Sequence, residues 1–171
     1  MKQTFIVVTG LPGVGKSTLA EGLAQRLQIP IFSVDPIESG ILRSGLVRSF
    51  ETGFAAYLVA ETLAAEHLKL GLSVIIDAVS PVDEAREMWR GLARRYRVHL
   101  KIIECVLDEA THRRRVEARV RRLPHFPELT WDDVEARRKE YLPWQDARLI
   151  VDTQQDEQAN LARAIEYVEG E

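Results

Sequence analysis

The feature that most constrains this chain is a glycine-rich stretch, Gly10-Leu11-Pro12-Gly13-Val14-Gly15-Lys16-Ser17, which fits G-x-x-x-x-G-K-[ST] at every fixed position. It follows Thr4–Thr9, a short apolar run rich in β-branched residues. It precedes Ser17–Leu27, where Leu19, Ala20, Leu23, Ala24 and Leu27 fall on one helical face. The order strand, glycine turn, helix is what anion binding demands. Glycines let consecutive backbone N–H groups turn toward a phosphate, and the helix start adds the positive end of its dipole. Lys16 then reaches the β- and γ-phosphates, and the Ser17 hydroxyl serves as a Mg²⁺ ligand. A chance match somewhere in a chain of this size is on the order of 1%. The stretch, with Thr18 directly after it, is therefore read as a nucleotide-binding loop.

The remaining sequence alternates two periodicities. Ile31–Val34 reads as a second strand, and Phe54–Leu70 as a long helix closed by Gly71. Val74–Ile76 is a third strand ending at Asp77. Ser80-Pro81-Val82-Asp83 has the composition of a helix start, with Ser80 as the cap, and Val82, Ala85, Trp89, Leu92, Ala93 and Tyr96 continue its buried stripe. Val98–Val106 is a fourth strand and Glu109–Arg122 a strongly basic helix. Leu123–Leu129, with two prolines, is a loop, and Thr130 caps a further helix. Leu149–Val151 and Glu157–Val168 supply a short fifth strand and a last helix. Strands alternating with helices predict an α/β fold with a mainly parallel sheet covered on both faces. No repeat or linker divides residues 1–171, so one domain is expected.

Composition narrows the class. Apolar residues are 46% and charged residues 29% of the chain, values for a packed soluble domain and not a disordered one. The single cysteine, Cys105, excludes a disulfide framework or a cysteine zinc site. A net charge of −3 argues against wholesale coating of nucleic acid. No apolar run approaches the roughly 18 residues of a membrane span, and no signal peptide pattern precedes the first strand. A cytoplasmic protein without a membrane partner is expected.

Absences separate the nucleotide-binding classes. The guanine-reading Asn/Thr-Lys-x-Asp pattern does not occur, and Asp77 is followed by Ala78 and not by the glutamate of water-activating ATPases. A small phosphotransferase fits better than a switch or a motor. Such an enzyme needs a group that orients or deprotonates the acceptor hydroxyl. Asp35, at the end of the second strand, is assigned that role, the competing reading being a cap for the helix begun by Pro36. Asp77, at the end of the third strand, is assigned to Mg²⁺, directly or through water, or to a hydrogen bond with Ser17, the competing reading being a turn-initiating aspartate before Ser80-Pro81; its role and that of Asp35 are exchangeable at this point. Six arginines, Arg113, Arg114, Arg115, Arg119, Arg121 and Arg122, form a basic cluster. Arg115 and Arg119 stand four apart on one helical face. Arg119 first and Arg115 second are the candidates for stabilising charge on the transferred phosphoryl group. The others are read as a solvated face paired with Glu109 and Glu117.

On these residues the sequence resembles the small P-loop kinases of the shikimate/gluconate-kinase and adenylate-kinase-like class. Within it, the sequence looks most like the group of chloramphenicol phosphotransferase, zeta-toxin-type kinases and the polynucleotide 5′-kinase domain. The likeness is carried by Gly10–Ser17, Ser33-Val34-Asp35, Gly71–Ala78, Ala85-Arg86 with Trp89, Arg115-Val116-Glu117-Ala118-Arg119, Tyr141–Trp144 and Val151-Asp152-Thr153. It implies a three-layer P-loop fold with a five-stranded parallel sheet, and ATP and Mg²⁺ as co-substrates. It also implies a lid over about 113–128 and an adenine site near that lid and Asp152–Thr153. In the polynucleotide branch the acceptor-side aspartate is commonly followed by arginine. Here Pro36-Ile37-Glu38-Ser39 follows, which weakens the case for a nucleic-acid acceptor.

The acceptor is expected in about 36–62, where Glu38, Arg43, Phe54 and Tyr57 are candidate contacts, with Arg48 and Phe50 nearby; for any single aromatic among them, core packing between two helices is the favoured reading. The mixture suits a small hydroxylated molecule of nucleoside, sugar or antibiotic type. A polynucleotide 5′-hydroxyl kinase and an ATP-binding regulatory module without transfer are the alternatives.

Overall fold

The computed structural model describes residues 2–120 and 123–170. Five strands, β1 (Thr4–Thr9), β2 (Ile31–Ser33), β3 (Val74–Asp77), β4 (His99–Val106) and β5 (Arg148–Asp152), form one parallel sheet in the order β2-β3-β1-β4-β5. Seven helices are present among the described residues: α1 (Lys16–Leu27), α2 (Val34–Leu42), α3 (Phe50–Lys69), α4 (Asp83–Tyr96), α5 (Glu109–Ala118), α6 (Trp131–Glu140) and α7 (Glu157–Glu169). The central strand is apolar on both faces, as a sheet covered on both sides requires. Phe5 and Val7 pack with Val74, Ile76, Ala56, Ala60 and Trp89 under α3 and α4. Ile6 and Val8 pack with Leu19, Leu23, Ile75 and Ala164 under α1 and α7. Leu23 is fully buried, and truncating it to alanine should cost about 2–5 kcal/mol.

The five-stranded three-layer α/β fold expected from the sequence is the fold observed. No described helix is long and apolar enough to cross a membrane. Several boundaries differ, each for a local reason. The segment after β2 turns at once into α2, so Asp35 lies in the first helical turn and not on the strand. Pro36 is tolerated there because the first-turn N–H groups have no intrahelical partner. α3 starts at Phe50, four residues before the apolar pattern begins. Ser49 and Thr52 exchange side-chain to backbone hydrogen bonds across its end, a capping box that an exposed Phe50 concealed. Ser80 caps nothing: α4 begins at Asp83, and Ser80 is fully buried in a left-handed conformation (φ 46°). α5 ends at Ala118, and Arg119 is already extended (ψ 138°). Arg115 and Arg119 therefore do not share a helical face.

Candidate nucleotide and acceptor site

All five strands point the same way, so the loops after them meet at one edge of the sheet. β1 and β4 are neighbours whose following loops leave in opposite directions, and such a switch point opens a crevice for a ligand. The loop Gly10–Ser17 occupies that position. Gly10 (φ 141°) lies so close to β4 that a Cβ there would sit 2.4 Å from the Cys105 carbonyl oxygen. Gly13 (φ 83°) and Gly15 (φ 96°) supply the left-handed turns that bring backbone N–H groups round to one side. Lys16, only 6% exposed, opens α1 with Ser17 behind it. Thr18, on the outer side of that turn, is exposed.

Two side chains outside the loop hold its carbonyls. His112, on α5, donates from Nε2 to the Pro12 oxygen at 2.8 Å; the acceptor being a carbonyl, that nitrogen carries the proton. Its ring is buried edge-on against Trp131, at 5.3 Å between centroids. Burial lowers its pKa, and the charges of Arg138, Lys16 and Arg115 act in the same direction. Thr153, just after β5, donates from its hydroxyl to the Val14 oxygen at 2.5 Å. Arg115 in turn donates to the Thr153 hydroxyl (3.2 Å) and carbonyl (2.8 Å). Asp152 accepts from the Gln154 N–H at 2.9 Å and so belongs to the turn after β5. The family resemblance implies an adenine site near Asp152 and Thr153; the Thr153 side chain buttresses the phosphate loop. His112 is not among the site residues expected from the sequence. The signal available was a histidine amid a basic stretch on a helix that leads away from the sheet edge.

Asp77 ends β3 opposite Val8 of β1 and Ser33 of β2, and the next N–H, that of Ala78, donates to the Val8 carbonyl at 3.2 Å. The carboxylate is 4% exposed, and its Oδ1 has no hydrogen-bond partner. A buried acceptor left unsatisfied is costly unless something binds it. Mg²⁺ takes few protein ligands and completes its shell with water and phosphate oxygens. No three His, Cys, Asp or Glu residues cluster among the described residues. Ser17 and the orphaned Asp77 oxygen fit such a sparse site.

Asp35 stands two residues past Ser33 at the same edge, partly buried. Its charge is felt by Tyr57, whose hydroxyl pKa is pushed up to about 12 by burial first, with Asp35 adding to the effect. Tyr57 is not an open acceptor contact: its oxygen accepts from the Ser80 N–H at 2.9 Å, and its ring stacks on Trp89. Ser80 is the centre of a buried network. Its hydroxyl accepts from Trp89 Nε1 (2.9 Å) and its carbonyl from Arg86 Nε (3.0 Å). Arg86 donates further to the Pro143 (3.0 Å), Leu142 (2.5 Å) and Pro81 (3.4 Å) carbonyls, under the face of Trp144. An arginine inside an apolar stripe, one residue from Ala85, was the available sign of this network.

On the acceptor side, Glu38 is buried and accepts from the Thr52 hydroxyl at 2.9 Å, with Arg48 at 3.7 Å. Its carboxylate ties α2 to α3 and does not present a free surface. Phe54 is exposed and lies parallel to Phe50, ring centres 6.1 Å apart. Arg43 is exposed at the end of α2. The far side of the arginine-rich segment reaches back to this region: Ser39 donates to the Pro124 carbonyl at 2.7 Å, and Arg48 lies over the Phe126 ring. Within that segment Arg113 pairs with Glu117, as read from the spacing, whereas Glu109 pairs with Arg138 of α6. Arg119 is exposed just beyond α5. Arg121 and Arg122 lie outside the described residues.

Comparison with known proteins agrees with this geometry. Residues 5–141 match a family described as AAA domain. The adenylyl-sulfate kinase of Gloeothece citriformis is 30% identical over 105 residues, 53% of this chain and 55% of that protein. The bifunctional polynucleotide phosphatase/kinase of Schizosaccharomyces pombe is 29% identical over 109 residues, 63% of this chain and 22% of that one. The chain spans about half the length of the adenylyl-sulfate kinases it matches. Among solved structures, a candidate kinase from Chloroflexus aurantiacus superposes with a TM-score of 0.78 at 26% identity, covering 99% of this chain and 100% of that one. A gluconokinase from Sinorhizobium meliloti superposes at 0.69 and 16%, covering 97% and 91%, and shows the shared fold. With the matched region spanning the phosphate loop, Asp35, Asp77 and the arginine-rich segment, the chain belongs to the AAA domain family and carries the small P-loop kinase fold.

Proposed function

We propose that the protein is an ATP- and Mg²⁺-dependent kinase that moves the γ-phosphoryl group to a hydroxyl of a small molecule. The observation that carries this reading is the pairing of a buried Lys16 at the phosphate loop with an unpartnered, buried Asp77 oxygen on the neighbouring strand end. Ser17 and Asp77 would hold Mg²⁺, which would supply charge neutralisation on the phosphates. Lys16 binds the β- and γ-phosphates. Asp35 accepts the proton of the acceptor hydroxyl, or orients that hydroxyl, as it attacks phosphorus. Arg119, beyond the end of α5, offers forked donors to the phosphoryl oxygens.

A small acceptor is favoured over a polynucleotide because the three arginines of α5 have partners within the protein. Arg113 is paired with Glu117, Arg114 donates to Thr111, and Arg115 holds Thr153. These three side chains are engaged internally and are not set out to track a phosphate backbone. Among relatives, the adenylyl-sulfate kinases and the gluconokinase have small hydroxyl acceptors in their names, while the yeast enzyme names a polynucleotide. The test is incubation with Mg·ATP and, separately, pooled nucleosides, sugars and sugar acids, hydroxylated antibiotics, adenylyl sulfate, and a 5′-hydroxyl oligonucleotide. A mass gain of one phosphoryl group on a small compound is expected. Phosphorylation of the oligonucleotide alone would replace this reading with the polynucleotide one. ATP binding without transfer would make the protein a nucleotide-dependent binding module.

A further inference from the structure

We propose that His112 and the Arg115–Thr153 pair are positioning residues that set two peptide planes of the phosphate loop so that their N–H groups face the phosphates. The inference rests on the reading that ATP's phosphates occupy Gly10–Ser17. In a trans peptide the C=O and N–H point in opposite directions, and no cis peptide occurs among the described residues. The Pro12 carbonyl is drawn out to His112 at 2.8 Å, which turns the Gly13 N–H the other way, away from α5. The Val14 carbonyl is drawn out to Thr153 at 2.5 Å, which likewise turns the Gly15 N–H away from Thr153. Gly13 and Gly15 are the two positions whose left-handed conformation (φ 83° and 96°) lets alternate peptides turn in this way. Free of these grips, glycine-rich backbone would sample many orientations, and phosphate binding would have to bear the cost of ordering them.

Both grips trace to one helix. His112 and Arg115 stand three apart on α5 and so on neighbouring positions of one face. Arg115 fixes Thr153 through two donors, and the Thr153 N–H is anchored to the Val106 carbonyl at 3.0 Å. His112 is itself held between Trp131 and the loop, with a Cβ on Gly13 meeting Val116 at 2.8 Å and Leu129 at 3.3 Å. α5 is therefore packed closely on the loop, and moving it would release the Pro12 carbonyl and the Arg115 hold on Thr153.

The test measures Mg·ATP dissociation constants by calorimetry, with melting temperatures of the nucleotide-free protein alongside, for wild type and four variants. His112→Leu and Thr153→Val remove a donor at nearly constant volume; His112→Gln and Thr153→Ser put one back. Loss of either grip should weaken Mg·ATP binding by about five- to tenfold, the size of one neutral hydrogen bond. His112→Gln and Thr153→Ser should recover most of that loss. A packing role alone would give weak binding in both members of a pair, because glutamine and serine do not restore the original shape. Unchanged Mg·ATP affinity in His112→Leu and Thr153→Val, or failure of both restoring variants, overturns the proposal. Should His112→Leu fail to fold, the Thr153 pair decides it. No Mg·ATP binding by the wild type would instead remove the nucleotide reading beneath it.

Discussion

The two sides of the candidate site are built in opposite ways. On the nucleotide side, Lys16 and Asp77 are buried, His112 and Thr153 fix loop carbonyls, and Gly10, Gly13 and Gly15 sit against Cys105, Val116 and Thr153. On the acceptor side, Val47 is 85% and Phe50 82% exposed, Leu46 and Phe54 are also open, and the Arg48–Glu38 contact is 3.7 Å long. The difference separates chemistry from choice. Phosphate geometry is the same for every ATP, so its cradle can be rigid and preorganised. On the proposed reading the acceptor meets the exposed stretch from the end of α2 to the start of α3, where side chains change without disturbing the core that the rest of α3 helps to build. A fold shared by kinases of unrelated substrates is expected to vary there.

Mutations can break or sharpen that division. Lys16→Ala removes the charge on the transferred phosphate and should lower the phosphoryl-transfer rate by about 10³ with any acceptor; steady-state kinetics at saturating acceptor measures it. Asp35→Asn lies on the boundary. It should reduce transfer by about 10² while leaving the Mg·ATP dissociation constant unchanged, a pairing read by kinetics and calorimetry together. A parallel loss of ATP affinity would move Asp35 to the nucleotide side.

Arg86 supports both sides from behind, through Ser80 and the 141–144 segment. Arg86→Leu strips charged donors from several buried carbonyls and should cost about 2 kcal/mol in denaturant unfolding. Its effect should fall on stability and not distinguish ATP from acceptor.

His112 gives a pH signature confined to the nucleotide side. Burial holds its folded-state pKa below the ordinary histidine value, so the unfolded chain takes up the proton first. Stability therefore rises with pH and is lost as pH falls below about 6.5. The Pro12 carbonyl accepting from the ring favours protonation, while burial and the cationic Arg138, Lys16 and Arg115 oppose it and prevail. Thermal melts of wild type and His112→Gln across that range should diverge at the acid end. The smallest effect on the fold belongs to Phe54→Ala. Stability should stay within about 0.5 kcal/mol and ATP affinity should be unchanged, while the acceptor KM rises.

What the sequence disclosed follows the same division. The loop was legible because its glycines, Lys16 and Ser17 are spaced by the chemistry, and the strands because their β-branched runs are buried on both faces. Asp77 was placed by its position after Val74-Ile75-Ile76. The grips on the loop were not legible. His112 and Pro12 are 100 residues apart, and Thr153 and Val14 139 apart. Nothing in local periodicity links such pairs. Ser80 does not cap α4, although Ser-Pro-x-Asp has the composition of a helix start, because hydrogen bonds with the side chains of Tyr57, Arg86 and Trp89, 23, 6 and 9 residues away, hold it in a left-handed bend. Arg119 was misplaced because an unbroken run of helix-forming residues carries no stop signal at Ala118. Tyr57 and Glu38 have the look of acceptor contacts, yet tertiary packing gave both internal partners.

The most direct test is the time course of ADP release from Mg·ATP, with and without the pooled hydroxyl acceptors, in wild type and Asp35→Asn. An acceptor-dependent rate in the wild type that collapses in Asp35→Asn, at unchanged ATP affinity, is the expected result. A rate indifferent to every acceptor and to Asp35 would contradict a kinase whose nucleotide cradle and acceptor side meet at that carboxylate.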